Sequence, residues 1–386
     1  MANWSELCND ILGLIVDQFS AIEDIAHFGE VCRSWRSVSV EKWDFSIAAP
    51  WLMLAEKEDS DNRGFYSLST QKVYHLNLPE ARGRKCWSSW GWLITLGLDL
   101  EINLLNPFSR SRVQIRLPPQ PTLPEQYRVE VNPEFIRRAF IQKAILSSRP
   151  SRSSAKTTHS SCEEEEEDDE KCVVMAIIGD YMKLAFLRLG DEVWTPVDSH
   201  IGIANVVYLN GQFYAINNKG ELLIVDISSH QPKTIELAKP PEDLNTYAYF
   251  YLVELVGELF MLARDVFEGD ESKKFGDYIH ETEGFDVYKF NYDNRKWTQV
   301  TKSLDNHALF VGDNSSFAVL PSNHLHLGCE PNCIYFTDDD TFGLRKGRGG
   351  KDMGVFRMET EEVDDHYVGP DILSRICTSL WICPPR

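Results

Sequence analysis

Between Trp4 and Val40 the apolar residues keep helical time. Leu7, Ile11, Leu14, Ile15 and Phe19 recur at i, i+4, i+7, i+8 and i+12, the stripe of an amphipathic helix. Ser5 or Asn9 can cap its start, and Glu6 and Asp10 lie near the positive end of its dipole. A second short helix is predicted from about Ala21 to Phe28, with Ile22, Ile25 and Ala26 inward and Gly29 as its stop. Val31, Trp35 and Val38 line one face of a third. Three helices in so few residues bury little of their own surface, and Leu12 and Val16 add apolar area beyond the inward stripe. A small bundle with apolar surface left over calls for a partner.

After Val40 the period changes from helical to alternating. Trp51 to Leu54 is an apolar run, and Phe65–Leu68 with Val73–Leu76 reads as a hairpin. Gly91–Leu96, Ile102–Leu105 and Val113–Leu117 repeat the scheme, broken at Asn106-Pro107, where proline cannot donate to a ladder. Cys172–Ile178 pairs with Lys183–Leu189, and Val206–Leu209 meets Phe213–Ile216 across Asn210-Gly211, a strong short hairpin signal. Leu222–Asp226, Tyr251–Val256, Leu259–Ala263, Phe285–Phe290, Trp297–Val300, Phe317–Leu320, Cys333–Phe336 and Gly354–Met358 continue it, and Trp381-Ile382 is a candidate last strand. Strands closed by Trp-Thr, clearest at Trp194-Thr195-Pro196-Val197 and Trp297-Thr298-Gln299-Val300, return roughly every 40 to 50 residues, the period of propeller blades. The expectation is a mainly β chain: a three-helix domain over 1–44, then a β-propeller of roughly six or seven blades over 45–386, with a pair of β-sandwiches as the alternative.

One segment breaks the alternation. Residues 147–171 are serine-rich and then carry eight consecutive acids, Glu163 to Glu170, a composition expected to be a disordered insertion. Just before it, Phe135, Ile136, Ala139, Phe140 and Lys143 fall at helical spacing, so Pro133 to Leu146 is predicted to hold a short helix.

Leu7, the Asp10-Ile11-Leu12 run and Val31-Cys32-Arg33-Ser34-Trp35-Arg36 resemble the F-box, the motif that in its family docks onto a Skp-type adaptor. The family usually has proline after the first leucine, and here that position is Cys8. Leu105-Asn106-Pro107-Phe108, Ile115-Arg116-Leu117-Pro118, Gly91-Trp92-Leu93, Phe285-Asp286-Val287-Tyr288 and Asn332-Cys333-Ile334-Tyr335-Phe336-Thr337-Asp338 extend the likeness to plant F-box proteins with a C-terminal KIB-type propeller. That resemblance implies a substrate-recognition subunit of an SCF-type E3 ubiquitin ligase. Leu7, Cys8, Ile11, Leu12, Ile15, Val31 and Trp35 would meet the Skp-type adaptor and, through it, a cullin scaffold. The target protein stays unnamed. Competing readings are a propeller hydrolase or ligand-binding protein with the helices as a cap, and a scaffold that binds the adaptor without driving degradation.

Charge and cysteine content narrow the partners. A net charge of −20 argues against nucleic acid as the main partner, because an acidic surface repels phosphate. No run reaches the eighteen apolar residues of a membrane helix, and the nine cysteines lack a disulfide framework, so a reduced, membrane-free setting in nucleus or cytoplasm is expected.

A search for catalytic chemistry yields little. Gly347-Arg348-Gly349-Gly350-Lys351-Asp352 has the wrong spacing for a phosphate loop and reads as a flexible basic loop. His324, His326, Cys329 and Cys333 match no zinc spacing, and Asp338, Asp339 and Asp340 read as a solvated turn rather than a calcium or general-base site. No nucleophile elbow occurs; neither cofactor, metal nor catalysis is expected. Trp87 and Trp90 are assigned to a loop and Trp92 to a core strand.

Overall fold

The computed structural model describes residues 4, 7–16, 18, 27–29, 31–42, 49–57, 60–109, 113–150, 172–268, 280–321, 327–339, 350–369 and 372–383. The second predicted helix, the expected domain boundary at 44/45 and the acidic run lie mostly or wholly outside the described residues.

Two helices are described at the N-terminal end, α1 (Asn9–Val16) and α2 (Arg33–Lys42). Leu12, Val16, Phe28 and Val38 form their buried core, with Leu7, Ile15 and Trp35 half-buried against it. The Phe28 and Trp35 rings lie 4.4 Å apart, and the Trp35 indole donates to the Trp4 carbonyl at 3.0 Å. The inward stripe therefore runs through Leu12 and Val16, not through Ile11 and Leu14, and Leu12 is wholly enclosed. Because α1 reads NDILGLIV, both of its faces are apolar and periodicity alone does not select the buried one.

The remainder is a six-bladed propeller, the lower of the two blade numbers expected. Its first blade joins β1 (Trp51–Met53), β2 (Asn62–Ser67) and β3 (Lys72–Asn77) to the last strand, β25 (Leu380–Ile382). Trp51 faces Ile382 and Met53 faces Leu380, so the two ends of the propeller sequence zip into one sheet and close the ring. The second blade is β4 (Lys85–Ser89), β5 (Trp92–Leu96), β6 (Ile102–Leu105) and β7 (Gln114–Leu117). In the third, β8 (Ile141–Leu146), β9 (Val173–Ile178), β10 (Lys183–Arg188) and β11 (Thr195–Pro196) follow a short helix, α3 (Pro133–Ala139).

The fourth blade is β12 (Ile203–Leu209), β13 (Gln212–Asn217), β14 (Leu222–Asp226) and β15 (Lys233–Ala238). The fifth is β16 (Tyr249–Leu255), β17 (Glu258–Glu268), β18 (His280–Asn291) and β19 (Lys296–Gln299). The sixth has five strands: β20 (Ala308–Val311), β21 (Phe317–Val319), β22 (Cys333–Phe336), β23 (Gly354–Arg357) and β24 (Glu362–Asp364). There β21 folds back to the inner edge, so β20 and β22 pair in parallel. The Trp-Thr echoes fall on β11 and β19, outer strands of the third and fifth blades.

The ring's inner wall is formed by β25, β4, β8, β12, β16 and β21, one strand per blade, with neighbours in contact along the series from β25 to β21. Between blades the strands bury both faces, which explains the continuous apolar runs. Two expectations fail on this wall. Trp87 lies on β4, fully enclosed, its indole donating to the Gln142 carbonyl at 3.2 Å; only Trp90 sits in the following turn. The helix expected to reach Leu146 stops at Ala139, capped by the Asn132 side chain on the Phe135 amide, and the rest is the buried strand β8.

Three inner hairpins turn alike. Trp90-Gly91, Asn210-Gly211 and Val256-Gly257 each place two consecutive residues at positive φ, the mirror-image turn whose twist matches the flanking strands.

Candidate functional site

Two regions carry chemistry that the core does not consume. The first is the outer face of the helical bundle. Once Leu12 and Val16 are turned inward, Ile11 (46% exposed) and Leu14 (65%) stand three residues apart on the outer side of α1, and Val31 (57%) is exposed just before α2. Cys8 is exposed, and its carbonyl accepts the Leu12 amide at 3.1 Å, the first bond of α1, so the helix starts there without a proline. Of the residues expected to meet an adaptor, Ile11, Val31 and Cys8 are available, Leu7, Ile15 and Trp35 are partly so, and Leu12 is not. Leu14, placed inward by the periodicity, belongs to the exposed set.

The second region is the propeller channel, where charged side chains sit on the inner wall. Lys85 on β4 pairs with Asp313, both buried. Lys143 on β8 donates to the Gly312 carbonyl at 3.0 Å and lies 5.8 Å from the Tyr251 ring centroid. Burial pushes this ammonium down to about 8, against the opposing pull of Asp339 and Asp313.

Arg264 of β17 is fully enclosed and uses all of its nitrogens. Nε donates to Thr282 Oγ1 at 2.7 Å, Nη1 to Tyr251 Oη at 3.0 Å and Asp339 Oδ1 at 3.2 Å, and Nη2 to Asp352 Oδ2 at 2.6 Å. Asp338 is buried and accepts the amides of Gly350 at 2.6 Å and Lys351 at 3.0 Å. Neither the Asp338–Asp339 pair nor Asp352 is a solvated surface feature: they clamp the connection between β22 and β23 and tie it to the fifth blade. His324, His326, Asp340 and residues 347–349 lie outside the described residues. Among the described residues no group of three or more metal-ligating side chains converges.

At the channel end toward which β4, β8, β12 and β16 run, a mouth opens. Trp90, Leu146, Tyr208, Glu254, Ser316 and Phe317 are among the side chains that line it. The Trp90 indole donates to the Leu146 carbonyl at 3.2 Å and the Ser89 hydroxyl accepts the Leu146 amide at 3.0 Å, joining the second blade to the third. Across the ring, the Ser315 amide donates to the Ser88 carbonyl at 2.7 Å. Sequence reading missed this mouth, since Glu254 and Ser316 stand out only when strands from different blades meet.

Comparison with known proteins agrees with this architecture. Residues 65–357 match the KIB1-4 beta-propeller family and residues 4–44 match the F-box domain, a module that binds Skp-type adaptors in SCF complexes in general. The chain is similar to two Arabidopsis thaliana proteins over nearly its full length. It is 26% identical to F-box protein At2g26160, covering 87% of this chain and 96% of that one. It is 27% identical to F-box protein SKIP23, covering 94% of this chain and 91% of that one. The chain belongs to the KIB1-4 β-propeller family and carries an F-box domain at its N-terminal end.

Proposed function

We propose that this protein is a substrate receptor of an SCF-type ubiquitin ligase, in which α1 and the start of α2 dock on a Skp-type adaptor and the propeller holds the target. The observation that carries the adaptor contact is the exposed apolar set Ile11, Leu14 and Val31 on a bundle whose core is already filled by Leu12, Val16, Phe28 and Val38. Leucine, isoleucine and valine left in water are stabilised by an apolar groove, at about 25 cal/mol for each Å² removed from solvent. Cys8 is exposed, and Leu7, Ile15 and Trp35 are half-buried against the bundle core.

The chain contributes proximity and orientation, and the ubiquitin transfer itself is done by other subunits joined through the cullin scaffold. Its place of work is the nucleus or cytoplasm, a reading supported by cysteines that form no disulfide among the described residues. Size-exclusion chromatography of the full chain with a Skp-type adaptor and a cullin tests the assembly. Co-elution of all three is expected, and separate elution of this chain overturns the proposal.

A further inference from the structure

We infer that the propeller mouth is a binding site for one neutral saccharide unit, a six-membered ring that carries hydroxyls and an apolar C–H face. The inference goes beyond the receptor reading and stands whether or not the helical bundle docks on an adaptor.

Three aromatic rings line the mouth, and each is held from behind. Trp90 (43% exposed) donates its indole N–H to the Leu146 carbonyl at 3.2 Å. Tyr208 packs on Phe213 with ring centroids 4.7 Å apart, and Phe317 stacks on Phe310 at 4.9 Å and 7°. Rings fixed in advance lose little freedom when a ligand arrives. Their faces are apolar and carry the negative side of the ring quadrupole, so they attract the weakly positive C–H bonds of a sugar face.

Two polar groups at the same place have bonding capacity left over. Ser316 is 9% exposed, and its hydroxyl has no hydrogen-bond partner among the described residues. Buried hydroxyls are ordinarily satisfied, so one left unpaired in a lining wall fits a ligand that brings the partner. Glu254 on β16 accepts the Gly257 amide at 2.6 Å through Oε1, which fixes the carboxylate, while Oε2 has no partner among the described residues.

Together these groups select one chemistry. None of the lining residues is basic, so a phosphate or sulfate would meet only the Glu254 carboxylate and be repelled. A cation would gain little from Glu254, which is half-exposed, because ion pairs open to water are screened. A purely apolar ligand would cover the Ser316 hydroxyl without bonding it, which is costly. A neutral sugar meets every group: its C–H face lies on a ring, one hydroxyl donates to Glu254, and another pairs with Ser316. Size agrees with a single unit. The mouth encloses about 100 Å³. At about 10–15 Å³ for each enclosed water this is roughly seven to ten waters, the room of one six-membered ring and not of a chain.

Ligand-observed NMR titration of the full chain tests this. Glucose, galactose, mannose and N-acetylglucosamine are the probes, and tetramethylammonium chloride, sodium sulfate and cyclohexanol are the controls. At least one sugar is expected to bind in the millimolar range that suits so small a ligand, about tenfold or more tighter than each control. The methyl glycoside of that sugar is titrated beside it. Equal affinity assigns the mouth to a sugar carried on another molecule, and weaker binding assigns it to the free sugar; either supports the site.

Glu254→Gln, which keeps an acceptor for the Gly257 amide, and Trp90→Ala are each expected to weaken the sugar about tenfold. Ser316→Ala is expected to weaken it about fivefold while keeping or raising the urea midpoint, since it removes an unsatisfied hydroxyl. Absence of sugar binding up to about 50 mM overturns the inference. So does tighter binding of any control, or sugar binding that Glu254→Gln and Trp90→Ala leave unchanged.

Discussion

Replacing Lys143 by methionine tests the physics of the channel wall. The ammonium is fully enclosed, has one carbonyl acceptor and the face of a tyrosine beside it, and is pushed by burial from 10.5 to about 8. The unfolded chain therefore binds a proton more readily than the folded one between pH 8 and 10.5, and stability rises with pH through that window. Below pH 8 the folded state carries the whole penalty, about 3 kcal/mol at 1.36 kcal/mol per pH unit. Lys143→Met removes that penalty but leaves the Gly312 carbonyl without its donor, a loss of about 1–2 kcal/mol, so the variant is expected to be more stable by about 1–2 kcal/mol at pH 7. At pH 9.5 roughly 2 kcal/mol of the penalty has already been relieved in the parent, and the advantage should vanish or reverse. Urea unfolding followed by tryptophan fluorescence at the two pH values measures the difference, and each protein serves as its own control for the other groups that titrate. A stability difference that does not change between pH 7 and 9.5 refutes the reasoning.

Arg264→Met strips the cation from the carboxylates of Asp352 and Asp339, and unfolding free energy should fall by about 3–5 kcal/mol in the same urea assay. Leu12→Ala should cost the helical bundle about 2–5 kcal/mol, read as faster hydrogen exchange at α1 amides with no change at β12 and β13. His366 packs against Trp381 at 5.0 Å, both ring nitrogens lack hydrogen-bond partners among the described residues, and burial pushes it down to about 3. The unfolded state takes up its proton from about pH 6.5 downward while the folded state does not, so stability is lost on acidification. His366→Phe should abolish about 3 kcal/mol of the loss between pH 7 and pH 4, measured by urea titration at both.

Much of the architecture is legible in the chain because its local signals agree. Asn210-Gly211 forms the hairpin its residues demand, the Trp-Thr echoes fall on outer strands, and Trp381-Ile382 is the strand that closes the ring. The failures have two causes: an apolar series that runs around an element carries no informative period, and some partners lie far away in sequence. β8 follows α3 with one apolar series running through both, and alternation cannot divide a helix from an enclosed strand there. In α1 the apolar residues encircle the helix, so the face carrying Leu12 and the face carrying Ile11 look equally fit for the core. Asp339 and Asp352 look like surface acids because their cation, Arg264, lies more than seventy residues away in sequence. The mouth is assembled from strands of different blades, and no local motif marks it.

The orientation of α1 is the hinge of the functional account, and one titration tests it. The dissociation constant for a Skp-type adaptor is measured by calorimetry for the full chain and for the Ile11→Asp/Leu14→Asp double variant, with helical content checked by circular dichroism. The account predicts micromolar or tighter binding by the parent and at least a hundredfold loss in the variant at unchanged helicity. Equal affinity of the two proteins, or no binding by the parent, contradicts it.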